Sequence, residues 1–102
     1  MNQAQMLQQV RKMQAEMEKA QAEIAATVLD GSAGGGAVTA AVSGEMRVTK
    51  VTIAPAAVDP DDIETLEDLV TVAVNDALAK VKAFSEQRLG KVTGGMRIPG
   101  LM

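Results

Sequence analysis

The chain has no His and no Cys, so its side-chain chemistry rests on carboxylates, hydroxyls, amides and the cations of Lys and Arg. Without imidazole, the usual general base and the commonest metal ligand are missing. Without thiols there is no thiolate nucleophile, no sulfur-ligated zinc and no disulfide. Ser32, Ser43 and Ser85 therefore have no activating partner, and nucleophilic catalysis is unsupported. Asp59, Asp61, Asp62 and Glu64 stand close enough to suggest a cation site. Their spacing is not that of a calcium loop, and no Gly lies among them. Carboxylates in the first turn of a helix are favoured by its dipole, so capping is the simpler role. The stretch Gly31 to Gly36 has no Gly-Lys-Ser/Thr after it and is not a phosphate loop. Thr39 stands where a dinucleotide fingerprint needs a third Gly, which leaves a flexible strand connection. No enzymatic activity and no cofactor or metal is expected.

The arrangement of charge is more informative than its sum of −3. Residues 1–58 balance: Arg11, Lys12, Lys19, Arg47 and Lys50 face five acids. Residues 59–79 carry seven acids and no base, whereas residues 80–102 hold Lys80, Lys82, Arg88, Lys91 and Arg97 against Glu86 alone. Acids early and bases late suit any helix dipole, by ~0.3–1 kcal/mol per charge. That accounts for Lys80 to Arg88. It does not account for Lys91 and Arg97 beyond the helix, or for Arg47 and Lys50 in a strand, where Lys is also a common edge guard. The chain has no Trp or Tyr on which single-stranded bases could stack, and Phe84 is its one aromatic. A nucleic-acid partner would be duplex, met through its phosphates.

Three kinds of element must position these groups. Asn2 to Thr27 lacks Gly and Pro and reads as one helix. Met6, Val10, Met13, Met17, Ala20 and Ile24 follow 4-3-4-3-4 steps, an a/d seam. Such a helix is ~39 Å long. A compact domain of this length is roughly 34 Å across, so the helix overhangs its own domain and its Met seam calls for a partner surface, most simply a second copy. Thr27 to Leu29 leads into the turn-rich stretch 30–36. Val38, Ala40 and Val42 alternate in a strand over 37–43, and Ser43-Gly44-Glu45 reads as a hairpin turn. A further strand over 47–54 places Val51 and Ile53 on one face. The step of three from Val48 to Val51 predicts a bulge near Thr49-Lys50. A second long helix is predicted from about Pro60 to Leu89, with Asp59 as N-cap and Gly90 just past its end. The order is α-β-β-β-α, an α+β fold with a small antiparallel sheet, in a single domain over 1–102. Its tail, 91–102, is Gly- and Pro-bearing and reads as flexible. No basic leader with an apolar core opens the chain, and no apolar run approaches a membrane span. A soluble cytoplasmic protein with no membrane partner is expected.

An ordered set of short motifs now matters. The opening helix carries Met6-Leu7-x-Gln9-Val10-x-Lys12-Met13-Gln14. Gly34-Gly35-Gly36-Ala37-Val38 follows, then Val42-Ser43-Gly44 leading to Val51-Thr52-Ile53, then Leu66-Glu67-Asp68-Leu69 and Asn75-Asp76-Ala77. The chain ends with Thr93-Gly94-Gly95-Met96-x-Ile98-Pro99-Gly100. Over nearly its whole length the chain resembles the YbaB/EbfC family of bacterial nucleoid-associated proteins. The resemblance implies a tweezers-like homodimer with long helices projecting from a joined β core. It also implies duplex DNA binding in nucleoid organisation or gene regulation, a nucleoid location, and neither enzymatic activity nor cofactor. Carried onto this chain, it makes Arg11, Lys12, Lys19, Lys80, Lys82, Arg88 and Lys91 candidate DNA contacts. Met6, Val10, Met13 and Met17 become candidate dimer-interface residues. Glu16, Glu18 and Glu23 stand among the basic residues of the first helix, against strong DNA affinity. A rival reading is a protein-interaction module that uses the adaptable Met-rich helix to hold replication or recombination proteins.

Overall fold

A computed structural model of the chain describes residues 2–94. Helix α1 (Gln3–Ala26) is followed by strands β1 (Val28–Ala33), β2 (Val38–Ser43) and β3 (Val48–Ile53), then by helix α2 (Ile63–Gly94). The α-β-β-β-α order is as expected. Asn2 starts α1 with a capping box: the Gln5 N–H donates to Asn2 Oδ1 at 2.8 Å, and the Asn2 N–H donates to Gln5 Oε1.

The strands form one antiparallel sheet in the order β1-β2-β3. β1 is longer than the sequence suggests. It runs through Asp30-Gly31-Ser32, because Gly31 packs against α2 instead of turning the chain. The turn is confined to Gly34–Gly36, where all three glycines have positive φ. Between β2 and β3 the pairing passes from Ala41 with Lys50 to Val42 with Val48 and skips Thr49. That is the predicted bulge, and it has a consequence for faces. Val48, Val51 and Ile53 all stand opposite core residues of β2, namely Val42, Ala40 and Val38.

α2 lies across that face, over β1 and β2. Val38, Val42 and Val81 are its largest fully buried side chains, joined by Ala33, Ala40, Ala73 and Ala77. Small residues on both sides allow a very close approach. A Cβ on Gly31 would strike the backbone of Ala73 and Ala77, and one on Gly44 would strike the Ile24 carbonyl. β3 lies outside this cover. Every residue from Val48 to Ile53 is exposed.

Both predicted ends of the second helix are corrected. Asp62, not Asp59, is at its start: the Thr65 N–H donates to Asp62 Oδ1 and the Thr65 hydroxyl to Oδ2, at 3.3 and 2.6 Å. Asp59 instead accepts from the Asp61 N–H in the preceding turn. At the other end α2 continues through Gly90 to Gly94, with Val92 buried. Gly90 has open space where a Cβ would be and no positive φ, so it serves as an ordinary helical residue. Of the predicted tail, 91–94 are therefore helical, and 95–102 lie outside the described residues.

Candidate nucleic-acid interface

The molecule measures 71 × 25 × 16 Å, with a radius of gyration of 19.9 Å. A compact chain of this length has about 13 Å. The excess comes from helices that outrun the sheet. α1 packs on α2 near its own C-terminus, where Ala20 and Ile24 are buried and Met13 and Met17 are half-buried. From Gln3 to Lys12 every residue is exposed, which leaves a free arm of ~15 Å. Met6 and Val10 stand on that arm, 55% and 52% exposed.

The seven candidate basic residues divide into two groups. Arg88 lies against α1: its Nε donates to Glu23 Oε2 at 2.6 Å. This hydrogen bond holds the Glu23 carboxyl below its ordinary range and raises the guanidinium pKa further. Lys80 is also engaged. Its Nζ donates to the Asp30 carbonyl at 3.1 Å and lies 3.2 Å from Asp76 Oδ2. Both cations are thus partly neutralised within the fold. Arg11, Lys12, Lys19, Lys82 and Lys91 are exposed and make no salt bridge among the described residues.

Helical geometry decides which of these share a side. Lys12 and Lys19 are about 20° apart around α1, off the Met seam. On α2, Lys80 and Lys91 are also about 20° apart, whereas Lys82 and Lys91 are roughly 180° apart. Lys82 therefore does not join the same surface. Gln5, Gln8 and Gln9 line a shallow open recess with Lys12. The sequence reading does not make these amides candidate DNA contacts, although Gln is a common donor to phosphate oxygens and their 5-8-9-12 spacing marks one helical face.

The sequence model of the YbaB/EbfC DNA-binding family matches residues 1–96. The chain belongs to that family. It is 47% identical to a nucleoid-associated protein of Chloroflexus aurantiacus, over 95% of this chain and 97% of the relative. To nucleoid-associated proteins of Alkaliphilus metalliredigens and Nocardia farcinica it is 49% and 47% identical, covering 94% and 95% of this chain and 84% and 88% of theirs. The fold resembles the crystal structure of an uncharacterized protein from Helicobacter pylori, with a TM-score of 0.69 and 20% identity. That match covers 85% of this chain and 91% of the other. Family membership thus accords with the resemblance read from the ordered motifs. No described helix is long and apolar enough to cross a membrane.

Proposed function

We propose that this chain is a nucleoid-associated protein that binds duplex DNA as a homodimer, mainly through phosphate contacts. The observation that carries the reading is the exposed arm of α1, with Arg11 and Lys12 making no salt bridge among the described residues and Lys19 farther along the same helix. Membership of a DNA-binding family and the naming of close relatives support it. A narrow helix with cations along one side suits a groove wall, where Lys and Arg neutralise phosphates and fix register. Lys91 adds to this set from α2. Lys80 and Arg88 reach phosphate only by leaving their present partners. A nucleoid location and a role in nucleoid organisation or gene regulation follow from the same reading.

Two uncovered apolar surfaces support a second copy as partner. One is the seam of Met6 and Val10, continued by Met13 and Met17. The other is the β3 row of Val48, Val51 and Ile53, which are 47%, 40% and 38% exposed. Two-fold symmetry would present each basic cluster twice.

Fluorescence anisotropy with duplex DNA at several salt concentrations tests the reading. With ~5 phosphates neutralised, the log–log slope of affinity against salt is about −4 to −5. Lys12→Glu with Lys19→Glu is expected to abolish most of the binding. Unchanged binding by that variant overturns the α1 contact. Exposed Met6, Leu7 and Val10 favour one second reading, a protein-interaction module. Capture of a partner that survives nuclease and high salt, with no duplex binding, would favour it.

A further inference from the structure

The sheet has two edges, and they differ. At β1, the close packing permitted by Gly31 brings Asp76 and Lys80, one helical turn apart on α2, over the strand's outer rim. The Ser32 N–H donates to Asp76 Oδ2 at 3.0 Å, and Lys80 Nζ donates to the Asp30 carbonyl at 3.1 Å. In an antiparallel strand the N–H and C=O of a residue point to the same side, and sides alternate along the chain. Asp30 and Ser32 are therefore the residues that would offer their groups to a strand added outside β1. Each has given one group to α2. The Ser32 N–H also holds the Asp76 carboxyl below its ordinary range, so it is ionised at neutral pH. An added strand would have to displace both a carboxylate and an ammonium from the rim. At β3, no side chain among the described residues bonds the backbone of 48–53, and the adjoining face carries Val48, Val51 and Ile53.

We infer that the Asp76–Lys80 pair closes the β1 edge to strand addition, so that copies of this chain can join through strand pairing only at β3. This limit on assembly rests on the homodimer reading above. Pairing of β3 with β3 is isologous and uses the open edge of both copies, so assembly stops at two. With β3 used up in the dimer, an open β1 would pair with the β1 of another dimer, and contacts that alternate β3 with β3 and β1 with β1 repeat without closing. The partner admitted at β3 is a second copy, and the pair on α2 determines that a third is refused.

The test compares the wild-type chain with Asp76→Ala/Lys80→Ala and with Lys80→Met, which keeps the aliphatic stem and removes the donor. Light scattering across a wide concentration range gives the mass, and amide hydrogen exchange reports on Ser32. Wild-type mass is expected to hold at two chains. The double variant is expected to grow beyond two chains as concentration rises, with Ser32 exchanging roughly tenfold faster in dilute solution. Lys80→Met is expected to show the same growth to a lesser degree, and it decides the matter if the double variant does not fold. A folded variant with wild-type mass and wild-type exchange at Ser32 overturns the proposal. A wild-type chain that is monomeric throughout defeats the dimer reading instead. Association of either variant from monomers, with faster exchange at Ser32, would then still support the closed edge, and its absence would refute it.

Discussion

Single residues here matter most where backbones nearly touch. Gly31 allows α2 to seat on β1, and the atoms it spares are backbone atoms that cannot swing aside. Gly31→Ala is therefore expected to destabilise the fold by about 3 kcal/mol, at the upper end of overpacking costs, as read by chemical denaturation. At Gly90, where the space for a Cβ is open and the backbone is helical, Ala is expected to stabilise by about 0.5–1 kcal/mol in the same assay. The contrast separates a glycine required by packing from one that is merely tolerated. Titration is also a residue-scale matter. Arg88 lowers the Glu23 pKa by hydrogen bonding and then by charge, against some desolvation. A carboxylate depressed in the folded state stabilises above its ordinary pKa and loses that contribution as pH falls through the folded value. Thermal melts should thus lose stability on acidification below the ordinary Glu range. Glu23→Gln should flatten part of that loss while melting lower than wild type at neutral pH.

Elements differ in how much of themselves they bury. α2 is anchored from Ala73 through Ala77 and Val81 to Val92, whereas α1 buries only Ala20 and Ile24, near its end, and half-buries Met13 and Met17 before them. The arm from Gln3 to Lys12 depends on its own capping box and propensity, and isolated helices of this length are marginal. Its amides are expected to exchange fastest of any helical segment between 3 and 94, and to slow on addition of duplex DNA if the arm is the contact. β3 is exposed on the face that α2 covers elsewhere. Val51→Asp with Ile53→Asp places two charges in that row. The pair is expected to convert the proposed dimer to a folded monomer, read by light scattering, with little change in secondary structure.

At the scale of the molecule, elongation and charge separation act together. In a body 71 Å long and 16 Å thick, the proposed phosphate contacts Arg11, Lys12, Lys19 and Lys91 are spread over two helices instead of forming one concentrated patch. Its net charge of −3 gives weak long-range steering, so local contacts must carry affinity. Binding should therefore respond to cations one at a time. Lys91→Ala is expected to reduce the salt slope by about one and to weaken different duplex sequences alike, because a phosphate contact carries no base information. A large change in sequence preference from that substitution would point to base reading at this position.

What the sequence determined alone is what depends on local periodicity. The Met seam, the alternation of Val38, Ala40 and Val42, and the step of three at Val48 each constrain neighbours along the chain. All three reappear in the structure as α1, β2 and the bulge at Thr49. The residue composition likewise set aside most catalysis without reference to any fold. Tertiary structure decided what depends on distant partners. Gly31 reads as a turn residue until α2 lies against it. Gly90 reads as a stop until the helix continues through it to Gly94. Lys80 and Arg88 look like available cations until the Asp30 carbonyl and Glu23 are brought beside them from outside α2, across separations no helical spacing rule relates. The exposure of Val48, Val51 and Ile53 was also invisible, because their pattern is that of a covered strand. Only the width of α2, which spans two strands and not three, leaves that row open.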